Sequence, residues 1–118
     1  MRIVVSGYYG YDNVGDEAIL ESLITTFRSL EPGIEIVVLS GQPETTAARY
    51  RVEAVNRWNL LAVWKAIKAS DGLVSGGGTL LQDVTGRKSV PYYAGIMQMA
   101  AWLDVPFVVY AQGIGPVQ

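Results

Sequence analysis

Residues 3–17, IVVSGYYGYDNVGDE, decide how the rest of this chain is read. Ile3-Val4-Val5 is a short apolar run with no polar alternation, suited to a strand covered on both faces. Glycines then break the chain at Gly7, Gly10 and Gly15, and a helical pattern begins at once. A strand, a glycine-broken turn and a helix N-terminus in that order let the backbone come close to a bound group. The arrangement returns twice downstream, at Gly76-Gly77-Gly78 and at Gly113-Ile114-Gly115. Function is therefore expected along one edge of one sheet.

Working outward, the first strand is placed at residues 2–6 and the first helix at 15–30. Leu20, Leu23, Ile24, Phe27 and Leu30 in that helix fall at helical spacing. Asp12 or Asn13 can cap it, Asp16 and Glu17 suit the positive end of its dipole, and Pro32-Gly33 stops it. The readings of Asp12 and Glu17 favour the cap. A second strand at 34–39, a short helix at 44–50 and a third strand at 52–55 follow. A helix at 59–69 would pack Leu60, Leu61, Trp64 and Ile67 along one stripe, and 73–75 is a brief fourth strand. Pro91 suits the first turn of a helix over 91–103, which is apolar all round and so is either buried all round or covers a partner. A fifth strand lies at 106–111. Alternating strands and helices predict an α/β fold, a Rossmann-like doubly wound parallel sheet of about five strands in the order 3-2-1-4-5, with the flavodoxin-like order 2-1-3-4-5 as the alternative. The first order makes the strands that precede the three glycine clusters neighbours, lining one crevice.

Composition narrows the classes. The chain has 118 residues, half of them apolar, enough for the core of one domain. It has no cysteine and no histidine, which removes disulfides, thiolate chemistry and the commonest metal ligand; no metal site or cofactor is expected. A formal net charge of −2 argues against non-specific binding to nucleic acid or anionic lipid. The basic residues are scattered, without a patch interleaved with aromatics. No apolar run approaches the roughly 18 residues of a membrane span, and the N-terminus does not read as a signal peptide. A cytoplasmic protein is expected.

The glycines do not spell G-x-G-x-x-G. Gly10 and Gly15 have the spacing of a P-loop, but Asp16-Glu17 stands where Lys-Ser/Thr would be, and two carboxylates repel a triphosphate. Carboxylates there suit hydroxyl groups better: Asp16 can accept a hydrogen bond from a sugar hydroxyl or take its proton. It can equally cap the helix. Gly76-Gly77-Gly78 can turn successive N–H groups toward an anion, against the plainer reading of a tight turn. Gln82, Asp83, Arg87 and Lys88 follow as a polar cluster. Arg87 is a candidate anion clamp or a solvated charge. Gln112 with Gly113 and Gly115 again permits close backbone approach, or is an ordinary strand exit. Tyr8, Tyr9 and Tyr11 could stack on a sugar ring or pack across the sheet edge, and Trp58, Trp64 and Trp102 are assigned to packing.

Three blocks, GYYGYDNVGDEAIL at 7–20, SGGGTLLQDVTGRKS at 75–89 and VVYAQGIGP at 108–116, resemble the polysaccharide pyruvyl transferase family, especially the bacterial enzymes that pyruvylate cell-wall polysaccharide precursors. The resemblance implies transfer of a pyruvyl group from phosphoenolpyruvate to two hydroxyls of a sugar, giving a cyclic ketal, with a lipid-linked precursor as acceptor. It also implies a GT-B-like enzyme longer than this chain, of which residues 1–118 would be a single N-terminal, acceptor-side Rossmann-like domain. Phosphoenolpyruvate would then sit on a second domain outside this chain, and this chain alone would be inactive. Carried over by position, Asp16 is the catalytic candidate. Asn13, Gly7, Gly10, Gly76, Gly77, Gly78, Gln82, Asp83, Arg87, Gln112, Gly113 and Gly115 would shape the substrate cleft. A peripheral position at the inner face of the membrane and self-association through exposed apolar surface are further expectations. Two other readings share the features: the N-terminal domain of a nucleotide-sugar glycosyltransferase, and a non-enzymatic α/β binding module.

Overall fold

The computed structural model describes residues 1–10, 14–76 and 90–110. Ile3, Val4 and Val5 are all buried, although side chains on a strand point alternately to opposite faces. Both faces of the sheet must therefore be covered. β1 (Arg2–Tyr9), β2 (Glu35–Ser40), β3 (Glu53–Asn56), β4 (Gly72–Gly76) and β5 (Phe107–Tyr110) form one parallel sheet in the order β3-β2-β1-β4-β5. This is the first of the two expected orders. In the flavodoxin-like order β3 would lie between β1 and β4, whereas here Ser6 of β1 pairs directly with Ser75 of β4.

Four helices are described: α1 (Val14–Leu30), α2 (Pro43–Tyr50), α3 (Leu60–Lys68) and α4 (Val90–Trp102). Ile3 and Val5 pack on one face with Leu20, Leu23 and Ile24 of α1, and Tyr50 of α2 borders that cluster. Val4, Val37, Leu39 and Leu73 pack on the other with Val63, Ala66 and Ile67 of α3 and with Ile96 and Ala100 of α4. Each fully buried Leu or Ile contributes about 1.5–3 kcal/mol by leaving water.

Local chemistry sets the helix ends. Pro43 opens α2, where its missing N–H costs nothing. The Asn59 side chain accepts from the Ala62 N–H at 3.2 Å and caps α3. Arg51 closes α2 in the left-handed region, with φ 56°. At the edge where the strands begin, Arg2 donates to both carboxylate oxygens of Glu53 at 3.0 Å and also reaches Glu35. The Glu53 hydrogen bonds raise the Arg2 pKa further and fasten β1 to β3 across β2.

Four expectations are corrected. β1 continues past Ser6 to Tyr9, because a shift of register between Val5 and Tyr9 lets it keep pairing with β2. On α3, Leu60 and Leu61 are exposed and Val63, Ala66 and Ile67 face the sheet. Apolar residues surround that short helix, so more than one stripe has helical spacing. Trp58 and Trp102 are not core residues: they are 61% and 70% exposed, although the Arg57 guanidinium lies over Trp58 and the Trp102 ring lies beside Trp64. Nor is α4 buried all round, since Met97 and Trp102 face outward.

Candidate functional site

Parallel strands that neighbour one another end on the same edge, so β1, β4 and β5 deliver their C-terminal residues side by side. Ligands of open α/β sheets bind at this edge, at the point where the strand order reverses. Here that point lies between β1 and β4, the two strands that carry the first two glycine blocks.

Gly10 makes the turn out of β1. Its φ is +88°, and a Cβ there would meet the Ser40 hydroxyl as well as the backbone nitrogens of Gln42 at 2.6 Å and Gly41 at 2.8 Å. The turn is held from two sides. Gly41 N–H donates to the Tyr9 carbonyl at 2.9 Å, and Gly10 N–H donates to Glu17 Oε2 at 2.9 Å. The other Glu17 oxygen accepts from the Tyr50 hydroxyl at 2.6 Å, with Arg49 at 3.7 Å. Glu17 thus departs from its expected role as a helix cap. Its carboxylate reaches back to the turn and across to α2, joining β1, α1 and α2. Burial, and then the bond to Glu17, push the Tyr50 pKa up to about 12.

A signal missed in the sequence is a repeated dipeptide. Ser40-Gly41 and Ser75-Gly76 stand at the ends of β2 and β4, and Ser6-Gly7 lies inside β1, level with Ser75. All three serines are buried. Ser40 turns to the α2 side, sharing a 2.8 Å hydrogen bond with Thr46 and accepting from the Gln42 N–H at 2.9 Å. Ser6 and Ser75 are paired neighbours across the β1–β4 boundary, and among the described residues the Ser6 hydroxyl has no hydrogen-bond partner. A buried hydroxyl left so is costly. Arg57, just beyond β3, is also buried. Its backbone N–H donates to the Ser40 carbonyl at 3.0 Å, and its guanidinium lies over the Trp58 ring.

Of the candidate residues, Gly10 lies in the turn, Gly76 ends β4, and Asp16 belongs to the first turn of α1, its side chain outside what is described. Gly7 sits within β1, buried, and not in the turn. Tyr9 is buried in the α1-side core, so it does not stack on a ligand. Asn13, Gly77, Gly78, Gln82, Asp83, Arg87, Gln112, Gly113 and Gly115 lie outside the described residues. Beside the turn, an open groove of about 440 Å³ is lined by Val14, Glu17, Ala18, Glu21 and Arg49. Among the described residues no cluster of three or more carboxylates is placed to hold a metal ion. The edge offers backbone N–H groups, hydroxyls and the positive end of a helix, a set suited to holding polar, oxygen-rich ligands.

A parallel sheet of five strands in the order β3-β2-β1-β4-β5, covered by helices on both faces, defines a Rossmann-like α/β fold. The family model for polysaccharide pyruvyl transferase matches residues 13–118, and the chain belongs to that family, a family of transferases. No curated protein and no solved structure matches the chain.

Proposed function

We propose that this chain is the acceptor-side, N-terminal domain of a GT-B-like pyruvyl transferase. The reaction moves a pyruvyl group from phosphoenolpyruvate to two hydroxyls of a sugar on a lipid-linked cell-wall precursor. The enol carbon of the donor, which bears the phosphate, forms bonds to both sugar oxygens, its methylene takes up a proton and becomes methyl, and its bond to the phosphate oxygen breaks as phosphate leaves. The two hydroxyl protons balance that proton and the one the phosphate carries away. Asp16, in the first turn of α1, is the candidate to accept a hydroxyl proton. The donor would rest on a second domain, so this chain by itself would bind acceptor and not turn over. On this reading the protein works in the cytoplasm, at the inner face of the membrane.

Family membership over residues 13–118 carries the reading, and the gathering of the strand exits at one edge supports it. Two experiments test it. The intact enzyme is incubated with phosphoenolpyruvate and a sugar diol, and ketal and phosphate are followed; turnover of a nucleotide sugar, with none of phosphoenolpyruvate, would replace the reading with a glycosyltransferase. Titration of this chain alone should show weak acceptor binding, and tight phosphoenolpyruvate binding would reverse the assignment of the halves.

A further inference from the structure

The two helix layers of this domain have different outer surfaces. On the α1–α2 side, Glu21, Arg28, Glu44 and Arg49 are exposed, a mixture of both signs. On the α3–α4 side, neither helix contains a carboxylate; the nearest, Asp71 and Asp104, come after the helices end, and Asp71 accepts the Arg2 N–H at 2.9 Å. Among the described residues this side exposes Leu60, Leu61, Met97 and Trp102, together with Lys65 and Lys68. All but Met97, which stands about 140° around α4 from Trp102, form one surface. The Trp64 and Trp102 rings lie 6.4 Å apart across the α3–α4 seam. Leu60 stands one turn from Trp64, Leu61 from Lys65 and Trp64 from Lys68. The net charge of −2 hides this segregation.

We infer that the α3–α4 face docks on a bilayer containing anionic lipid. Tryptophan and leucine beside lysine, with no acid on either helix, is the composition of a surface that lies in the headgroup region. The lysine stems lie along apolar surface while their ammonium groups reach the lipid phosphates. Charge decides between occupants. A second copy related by a two-fold axis through this face would bring the four lysines onto one interface with no carboxylate on either helix to pair with them. An anionic headgroup layer neutralises them. The inference deepens the proposed reading of a lipid-linked acceptor, since a domain held flat on the membrane keeps such an acceptor within reach.

The test is flotation of the chain with vesicles of phosphatidylcholine alone and of phosphatidylcholine mixed with phosphatidylglycerol. Binding is expected to the mixed vesicles, weaker by roughly tenfold or more on the neutral ones. Lys65→Glu with Lys68→Glu should abolish the preference, and Leu61→Ser with Trp102→Ser should weaken binding to both. All four side chains are outward, so folding is checked by an unchanged thermal transition. No binding to either vesicle, or binding that both double variants leave intact, overturns the inference; a dimer that Leu61→Ser with Trp102→Ser dissociates, without vesicle binding, assigns the face to a second copy. The functional reading is scored separately, by turnover of a water-soluble acceptor by the intact enzyme. Retained soluble turnover without vesicle binding sinks the docking face alone, and vesicle binding without any pyruvyl transfer sinks the functional reading alone.

Discussion

At Gly10 the backbone and its surroundings impose the same residue. A φ of +88° is open to glycine and strained for any side chain, and an alanine Cβ would press on the Gln42 and Gly41 nitrogens. Those nitrogens belong to the β2 exit, which Ser40 and Thr46 hold in place, so they yield little. Gly10→Ala should cost about 2–3 kcal/mol, read as a lower denaturation midpoint; a loss under about 0.5 kcal/mol would show that the turn is not fixed. Tyr50 offers a second test through pH. Its hydroxyl titrates near 10 in the unfolded chain and at about 12 in the folded one. Between those values the unfolded chain gives up a proton that the folded chain keeps, so stability is complete below pH 10 and falls as pH rises toward 12. Solvent reaches the group in part and screens the effect, so the slope is modest. Tyr50→Phe should remove that slope and cost about 1 kcal/mol at neutral pH through the lost bond to Glu17. Unfolding of both proteins at a series of alkaline pH values checks this, and identical slopes would count against it.

At the scale of elements, the strands and their order were legible because apolar runs of β-branched residues, punctuated by glycine, have few physical alternatives. The parallel order followed from the alternation with helices. The facing of α3 was not legible: in LLAVWKAIK almost every position is apolar, and only the sheet beneath selects Val63, Ala66 and Ile67. The gathering of the strand exits at one edge was legible, and the contacts behind that edge less so. Glycine spacing pointed to the turn at Gly10, but the Glu17–Tyr50 bond joins residues 33 apart and leaves no local trace. The repeated Ser-Gly was visible and went unread, because a single serine before a glycine looks like any turn. The end of α2 at Tyr50 was legible, but how it closes was hidden, since an arginine is an unusual residue for a left-handed closing position. Arg51 adopts φ 56°, while its carbonyl and that of Tyr50 accept from the Arg28 guanidinium. Glycine would keep those backbone bonds and remove the strain of about 1–2 kcal/mol, at some cost in unfolded-state entropy. Arg51→Gly should therefore stabilise by roughly 0.5–1 kcal/mol, and a destabilised variant would mean that the arginine side chain contributes more than the strain it carries.

For the molecule as a whole, the question is whether two cores on opposite faces of one sheet act as one. The α1-side core and the α3–α4-side core draw alternate residues from the same strands, Ile3 and Val5 against Val4, so neither can lose its backing without exposing the other. A break confined to one face would leave apolar strand residues in water while the ladder still held them, an unstable compromise. Unfolding should then be a single cooperative transition. Ile24→Val on α1 and Ile67→Val on α3 each remove one buried methylene group and should cost about 1 kcal/mol apiece. Separated by the sheet, they share no packing partner, so the double variant should lose about 2 kcal/mol in one transition, additive to within about 0.5 kcal/mol. Urea unfolding followed by tryptophan fluorescence and by circular dichroism checks the point. Tryptophan fluorescence reports only the α3–α4 side and its approach from β3, because all three tryptophans lie there, whereas circular dichroism reports every helix. If Ile24→Val moved the circular dichroism transition and left the fluorescence transition in place, the faces would be melting independently. Coincident curves displaced together by either substitution would show that the sheet transmits the loss from one face to the other, as a strand shared by two cores requires.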